Sequence, residues 1–528
     1  MGEINVQNLG NTDKDPSAVK TKTPTEELDI ALKECGFGWF HVLLLLASLI
    51  GLVAAQAVSS TTPYILPVAE CDLNMDLIQK GFLNAIPFIG MTISAVIAGF
   101  LTDTFGRKIF LVYGFGGLFI CTLMAGSSQT YLLFASAKFM EGILFGMSYN
   151  PLILLTSEFC HNDIRDRVMM FQSSFAAVAQ IIIAIIAWVI LSMNWKVTFF
   201  NGHFVLNAWN FYIYVMSLWA LLTCLFYTFL PDSPKFYISQ GKFDAAGDVL
   251  MKIYKTNTKS DASSLSNSEL WTKKEVKRER SQSLRSEKIT SFKKNLVTGF
   301  YNLKPMFRRP LLYHLILLCS MNFLTMLLFN VTRLWYPQLS TIVESFGSNQ
   351  ARQDLCMMLD TYTADIKLKS ANLTDLSTCV PNKSGNETYI NSVILGCVSL
   401  IPLVLSGFLV NKVGKKNLFL VSGLISVGCT LGLRWTSSKG TMVALFSSDV
   451  ALSQAMLSLN QAFTVELFPT TTRTLAISML MTVGRLGTLV GNVLFPVMLN
   501  LGCGISFYTL AGLMICVTAM ALLLPKNK

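Results

Sequence analysis

Runs of mostly apolar residues recur along the whole chain of 528 residues, each about as long as a helix that crosses a bilayer. A transmembrane helix needs about 20 such residues. Only 14% of the residues are charged, whereas soluble domains average about a quarter. The pattern predicts an all-α polytopic membrane protein with 12 transmembrane helices. The expected spans, numbered 1 to 12 in chain order, are residues 38–62, 78–102, 109–128, 131–156, 170–192, 208–230, 311–338, 390–411, 417–435, 440–465, 474–498 and 502–524.

Two charged segments occur twice in the chain, in the same register. FLTDTFGRK at residues 100–108 corresponds to FLVNKVGKK at residues 408–416, an offset of 308 residues. The same offset relates Glu158 to Glu466, and it also relates Arg165 to Arg473, the basic residues seven positions after each acid. An internal duplication is the simplest cause, and it predicts two bundles of six helices each.

The spans and the repeat together predict the division of the chain. We expect a cytoplasmic amino-terminal tail, two bundles, a linker with amphipathic and basic Ser-rich segments, and a short carboxyl-terminal tail. These are residues 1–37 for the tail, 38–230 and 311–524 for the bundles, 231–310 for the linker and 525–528 for the second tail, with a long exoplasmic loop at 339–389 inside the second bundle.

The distribution of Lys and Arg predicts the orientation of the spans. Residues 1–34 are polar, so we expect no cleavable signal peptide and a first span that directs its own insertion. With the two longest loops set aside, the side that holds the amino terminus carries 14 Lys and Arg, and the other side carries three. Because cytoplasmic loops carry the excess, both termini are predicted to be cytoplasmic. The net charge of +11 then reflects topology rather than binding to nucleic acid.

The loop between spans 7 and 8 carries three N-glycosylation sequons, at Asn372, Asn382 and Asn386. Their position agrees with the orientation that the basic residues predict. The same loop contains Cys356 and Cys379, which could pair in an oxidising compartment or remain free.

Several segments resemble the major facilitator superfamily, within the group of sugar and organic-ion transporters. They are DTFGRK between spans 2 and 3, PDSPKFYISQGKFDAAGDVL after span 6, with its amphipathic helix, and ELFPTTTR after span 10. ILPVAECDL after span 1 and TRLWYPQL in span 7 are similar to the synaptic vesicle glycoprotein 2-like branch. The resemblance covers nearly the whole chain.

The resemblance implies alternating access, in which two bundles rock about a central site. It also implies that Asp103 faces the amino-terminal end of helix 11 and that Arg107 pairs with Glu158, which would close a cytoplasmic gate. The alternative is that these charges only anchor the topology. Asn411 replaces the acid in the second copy, so that latch is expected to be weaker. The candidate gating residues are Asp103, Gly106, Arg107, Lys108, Glu158, Arg165, Asn411, Gly414, Lys415, Glu466 and Arg473.

Polar and charged residues inside spans are the candidates for solute binding, because a charge in lipid is costly and usually marks function or pairing. The resemblance implies that helices 1, 4, 7 and 10 line the cavity. Two alternatives stay open for each charge: contact with the solute, or neutralisation in the pairs Lys138–Glu141 and Arg485–Asp449. The candidates are Arg485, Glu141, Lys138, Asp449, Arg333 and Gln56.

These features predict a secondary-active or facilitative transporter of a small organic solute, either a sugar or an organic ion. Span 1 lacks an acid, so Glu141 and Asp449 are the possible proton carriers, and the coupling ion is proton or sodium. The alternative is a non-transporting membrane glycoprotein that acts as a receptor, sorting or scaffold protein. A monomer in the plasma membrane or an intracellular vesicle membrane is expected.

No enzyme activity, cofactor or metal site is expected from the sequence. The chain has four His and no Cys-His spacing of metal type. It also lacks a G-x-x-x-x-G-K phosphate loop, which disfavours a pump driven by ATP.

Overall fold

Twelve long helices, α1 to α12, occupy the twelve expected spans in the computed structural model, which confirms the predicted helical membrane fold. The structure describes residues 24–193, 195–199, 204–258, 309, 311–346, 354–371 and 384–525. The helices are α1 Trp39–Ile65, α2 Leu77–Phe105, α3 Arg107–Gly126, α4 Tyr131–Glu158, α5 Asn162–Leu191, α6 Ala208–Phe229, α7 Leu311–Phe346, α8 Asn386–Val413, α9 Lys415–Leu433, α10 Lys439–Leu467, α11 Thr470–Leu501 and α12 Cys503–Leu522. Nine helices in these ranges are long and apolar enough to cross a membrane by length and composition.

Several helices extend beyond the apolar run that predicted them. Helix α7 continues eight residues past the expected end at 338, and α5 begins eight residues before 170. Polar residues at a helix end can satisfy the terminal amide groups, so the helix need not stop at the hydrocarbon boundary. Asp76 illustrates this at the start of α2, where its carboxylate accepts the amide of Gln79 at 2.6 Å.

Among the described residues, four shorter helices and one β-hairpin lie outside the membrane helices. The amphipathic segment expected after span 6 is present as Pro234–Ser239 and Phe243–Thr258. Two further helices, Pro24–Cys35 and Leu355–Ala371, were not predicted. An antiparallel hairpin between α5 and α6, Lys196–Phe199 with Phe204–Asn207, is the exception to the all-α prediction among the described residues.

The amino-terminal helix Pro24–Cys35 is docked where the sequence predicted a tail. Its Lys33 ammonium lies 2.8 Å from the carboxylate of Asp163 on α5. The amide of Asn257 donates to the carbonyl oxygens of Cys35 and Gly36, both at 3.0 Å. Burial raises the pKa of the Cys35 thiol to about 12, so little thiolate forms there at neutral pH. Part of the predicted tail is therefore a helix docked on the amino-terminal half.

Both copies of the repeated turn have the same kind of backbone conformation at their glycine. Gly106 adopts φ 91° and Gly414 adopts φ 85°. These values lie where a side chain is strained, so each glycine permits the helix-to-helix turn at its position. The duplication is thus visible in local geometry as well as in sequence.

Within each half, glycines allow helix backbones to approach closely. A Cβ at Gly142 on α4 would collide with the carbonyl oxygen of Pro87 on α2, and one at Gly487 on α11 would collide with that of Phe323 on α7. Small residues at such crossings are typical of membrane helix packing. Between the halves, α2 packs against α11, α5 against α8, and α1 against α7.

The expected Cys356–Cys379 bridge is wrong, because Cys356 is bonded to Cys503 at the start of α12. The helix Leu355–Ala371 brings the two together: the amide of Leu355 donates to Thr436 at 2.8 Å, and the amide of Cys503 donates to Asp360 at 2.8 Å. Cys379 lies outside the described residues, as do Asn372 and Asn382, residues 1–23 and most of the linker. Contacts between distant loops decided the pairing, and sequence proximity did not predict it.

Candidate functional site

The repeated turns form one ion pair in each half. Arg107 Nη1 contacts Glu158 Oε1, and at the equivalent positions Lys415 Nζ lies 2.8 Å from Glu466 Oε2. The first pair is largely buried, with side chains 22% and 12% exposed, against 29% and 43% in the second. Each pair joins helices of its own half. Either pair can therefore shape a gate but cannot by itself latch the two halves together.

The other gating candidates are placed near these pairs. The guanidinium of Arg165 donates to the carbonyl oxygens of Ser157 and Cys160 at the end of α4, at 3.2 and 3.5 Å. Lys416 donates to the carbonyl oxygen of Leu522 at 2.7 Å, where the dipole of α12 favours a cation. Lys108 and Arg473 are partly buried.

The side chains of Asp103 and Asn411 lie outside the described part of the structure. Their predicted contacts with the opposite half therefore remain predictions, and so does the gating role of the whole set.

The amino-terminal half holds a buried ion pair in the middle of α4. Lys138 Nζ lies 2.9 Å from Glu141 Oε2 and donates to the hydroxyl of Thr61 on α1 at 3.1 Å. Both charged side chains are 1% exposed, and the ring of Phe134 lies 5.8 Å from the ammonium. Two alternatives were open for this pair, and the structure shows the one in which Lys138 and Glu141 neutralise each other.

The carboxyl-terminal half buries an acid at the repeated position without such a cation. Asp449 on α10 is 1% exposed, and its Oδ1 accepts hydrogen bonds from the hydroxyls of Ser426 and Thr430 on α9. Thr332 on α7 faces the same carboxylate. Among the described residues no Lys, Arg or His pairs with it, so the expected Arg485–Asp449 pair is wrong.

Arg485 instead crosses to the other half of the molecule. Its Nη1 donates to the carbonyl oxygen of Met91 on α2 at 2.9 Å. Tyr149 on α4 is near enough to interact with the guanidinium electrostatically. The geometry that separates Arg485 from Asp449 is the packing of α11 on α2, which the sequence does not reveal.

Arg333 lies at a small cavity between the halves. Its Nη2 donates to the Ser60 hydroxyl of α1, and its guanidinium carbon lies 5.7 Å from the Phe329 ring centroid. Gln56, one turn earlier on α1, is half-buried and outside the set that lines this cavity. The cavity is lined by Ser60, Pro63, Tyr64, Gln180, Arg333, Leu334, Tyr336, Pro337, Ser392 and Leu395.

Contacts between the halves close the predicted exoplasmic end of this cavity. The Trp188 indole and the Ser192 hydroxyl, both from α5 and its carboxyl-terminal cap, donate to the amide oxygen of Asn386 at 3.2 Å. The rings of Tyr64 and Tyr389 lie 6.3 Å apart across the same seam. Asn386 itself is exposed, so its side-chain nitrogen remains accessible for the predicted glycan.

Toward the opposite end, α4 and α10 expose polar side chains at equivalent positions. Asn150 and Ser458 are separated by the repeat offset of 308 residues, and both are exposed. A polar side chain in a span is expected to face water or protein rather than lipid.

Sequence reasoning missed the hydroxyl groups that surround Asp449. Ser426 corresponds in the repeat to Leu118, whereas Thr430 corresponds to Thr122. At the first of these positions the two copies differ, because α9 has the polar Ser426 where α3 has the apolar Leu118. Comparing the two copies position by position would have found it.

Sequence and structure comparisons agree on the kind of protein that this chain resembles. The family model described as sugar (and other) transporter matches residues 41–339, and the major facilitator superfamily model matches residues 382–528. Synaptic vesicle glycoprotein 2B of Rattus norvegicus is 27% identical over 236 residues, which are 44% of this chain and 34% of that protein. Synaptic vesicle glycoprotein 2A of Homo sapiens is 25% identical over 236 residues, 44% of this chain and 32% of that protein.

The matched region therefore covers about a third of the length of each of these curated relatives. Among solved structures, the inward-open xylose transporter XylE from E. coli has a TM-score of 0.62 at 15% identity, covering 92% of this chain and 97% of that one. A structure described as a D-xylose-proton symporter has a TM-score of 0.60 at 16% identity, covering 91% and 97%. The likeness to these structures is one of fold.

Proposed function

The chain belongs to the sugar (and other) transporter family, and from that premise we propose that it carries a small organic anion across the membrane by alternating access. It is a multi-pass membrane protein of a family of transporters rather than enzymes. The observation that carries the proposal is the pair Arg333 and Arg485. Both guanidinium groups lie between the two halves, and neither pairs with a carboxylate among the described residues.

The physical argument concerns the cost of an unpaired cation. Placing an Arg at the centre of a bilayer-spanning helix costs about 2.5–3.5 kcal/mol on insertion scales. A guanidinium presents five donors, and the Ser60 hydroxyl and the Met91 carbonyl oxygen each occupy one of them. An anionic solute would supply both the missing charge and the acceptor oxygens.

The cavity at Arg333 fits this role in position. Helices α1, α5, α7 and α8 all contribute to its lining, so both halves would contact a bound solute. A site shared by the halves is what alternating access requires, because their relative motion must change access to the solute.

We infer that the structure represents the inward-facing state of the transport cycle. The contacts of Asn386 and Tyr389 support closure at the predicted exoplasmic end, and the exposure of Asn150 and Ser458 supports an opening at the other. The orientation itself rests on the predicted topology. The Arg107–Glu158 pair is intact in this state, so a latch that breaks on inward opening would have to involve Asp103 instead.

A panel of solutes tests the proposal with the purified full-length chain in liposomes. The panel contains radiolabelled carboxylates, sulfonates and phosphate esters, with neutral sugars and quaternary ammonium ions as the contrasting classes. We expect uptake of at least one anion, reduced more than tenfold in Arg485→Ala and in Arg333→Ala. Lys439→Ala is the matched control, because that cation forms an exposed pair with Glu387 away from the cavity.

Each other outcome has a definite meaning. Uptake of sugars or cations alone, or full anion uptake by both Arg variants, would contradict the anion proposal. Anion binding by the wild type without uptake would favour the non-transporting alternative.

The relatives add one further suggestion. A proton is named beside xylose in the description of a structural neighbour, which makes a proton a reasonable coupling ion to consider for this chain. Whether the protein works in the plasma membrane or a vesicle membrane, and as a monomer, stays a prediction.

A further inference from the structure

The two halves treat one repeated acid in opposite ways. Glu141 has Lys138 three residues before it, whereas Asp449 has Phe446 at the corresponding place. We propose that Asp449 is the coupling-proton site of this protein, and that its carboxyl group takes up and releases one proton during the transport cycle. The role in transport rests on the proposed function, but proton binding itself can be measured without any solute.

The surroundings of Asp449 suit a group that changes its charge. The ionised form is stabilised by the hydroxyls of Ser426 and Thr430, without a cation to balance it in the described structure. The protonated form carries no charge and can still use these hydroxyls as hydrogen-bond partners. A buried carboxylate without a cation is costly, whereas donors from hydroxyl groups lower that cost, so the two forms can come close in free energy.

The helices packed against α10 present few other titratable groups to this acid. The Cys429 thiol of α9 is close enough to interact with the carboxylate, and Tyr336 of α7 packs against Phe446, with 5.3 Å between ring centroids. Helix α8 has no charged residue between its first turn and Lys412 in its last turn. On α11 the central cation, Arg485, donates to Met91 instead.

Glu141 is not suited to the same role. Its carboxylate is held by Lys138 at 2.9 Å, with both side chains buried. Protonating Glu141 would leave the Lys138 ammonium buried without its counter-charge, which is strongly unfavourable. The amino-terminal half therefore has a fixed ion pair where the carboxyl-terminal half has an acid that can change its protonation state.

The site is connected to the proposed solute cavity through α7. Thr332 faces Asp449, and the next residue, Arg333, lies at the cavity. Tyr336 also lines the cavity while it packs against Phe446. A change of charge at Asp449 would therefore act on a helix that contacts the solute, which is the arrangement that coupling needs.

A proton fits this site better than a sodium ion. The Ser426 hydroxyl donates its hydrogen to Asp449 Oδ1. The Thr430 hydroxyl has one hydrogen, for which the Ser426 carbonyl oxygen at 2.9 Å and Asp449 Oδ1 at 3.3 Å are the two acceptors. A bound metal cation would need the lone pairs of these hydroxyls to turn inward, whereas a protonated Asp449 keeps an oxygen that can accept from Ser426.

Infrared difference spectroscopy of the full-length protein in lipid tests the proposal directly. A buried carboxyl group that becomes protonated gains a carbonyl-stretch band as pH falls. We expect such a band in the wild type, its loss in Asp449→Asn and its retention in the paired variant Lys138→Met with Glu141→Leu, which removes the other buried acid together with its cation. Asp449→Glu should keep a band at a shifted frequency, which provides a second readout if the Asn variant does not fold.

The same spectra give the contradicting results. A band that survives in Asp449→Asn, or that is lost only in the paired variant Lys138→Met with Glu141→Leu, would overturn the assignment. A response of the Asp449 carboxylate bands to sodium at constant pH, without a response to pH, would replace the proton with sodium. Because no solute is present, failure of the anion screen would leave this result unaffected, and failure here would leave the anion proposal standing.

Discussion

The two halves share a fold and a repeated set of charged positions, yet they balance those charges differently. In the first half, Lys138 neutralises Glu141 inside α4. In the second half, the described partners of Asp449 are hydroxyl groups, and Arg485 reaches across to the other half. The repeat therefore keeps an acid at the same position in both halves, while only the first half shows a charged partner for it among the described residues.

The same contrast appears at the repeated turns. Glu158, which pairs with Arg107, is 12% exposed, while Glu466, which pairs with Lys415, is 43% exposed. Arg can bind a carboxylate through a planar fork, whereas Lys presents a compact charge. At the turns, the amino-terminal half has the more enclosed ion pair.

The largest effect is expected from breaking the fixed pair in the first half. Lys138→Met leaves Glu141 buried without its cation, and losing one partner of a buried pair costs about 3–5 kcal/mol. We expect that loss in the unfolding free energy of the purified protein in detergent, together with poor delivery to the membrane. The combined variant Lys138→Met with Glu141→Leu should recover most of it, and a double variant as unstable as the single one would contradict the pairing.

Removing the cation at either turn should destabilise the protein less than Lys138→Met does, and the two losses should differ from each other. Lys415→Ala removes a solvent-screened pair and should cost about 0–1 kcal/mol. Arg107→Ala leaves an almost buried Glu158 without its charged donor and should cost about 1.5–3 kcal/mol. Thermal unfolding of the two variants side by side measures the difference. Equal losses, or a larger loss for Lys415→Ala, would remove the proposed asymmetry.

The smallest effect on stability is expected at Asp449. Asp449→Asn leaves no buried cation behind and keeps an oxygen that accepts hydrogen bonds, so we expect a loss of about 0.5–1.5 kcal/mol. The same unfolding measurement checks it against Lys138→Met. If Asp449→Asn were as harmful as the loss of Lys138, then Asp449 would be balancing a cation that lies outside the described contacts.

The sequence predicted the elements whose causes are local. Apolar runs predicted the twelve helices, and a three-residue spacing predicted that Lys138 and Glu141 could pair. The PDSPK segment likewise predicted the helices that follow α6, the first of which begins after its Ser233 cap.

Features that depend on packing between distant helices were not predictable in this way. The Cys356–Cys503 bridge needs the helix Leu355–Ala371 to lie against the start of α12. The separation of Arg485 from Asp449 depends on how closely α11 packs on α2. Hydropathy and charge give no register between such helices, so the sequence left several partners open.

A double-mutant cycle tests most directly whether the Asp449 site is equivalent to the Glu141 site apart from the missing lysine. Phe446→Lys places a cation at the position equivalent to Lys138, in the wild-type background and in an Asp449→Asn background. We expect the substitution to be better tolerated beside Asp449, with an interaction free energy of about 1–3 kcal/mol in the unfolding measurement, because the new ammonium can pair with the acid. An equal loss in both backgrounds would show that Asp449 cannot accept such a partner, and would contradict the equivalence of the two sites.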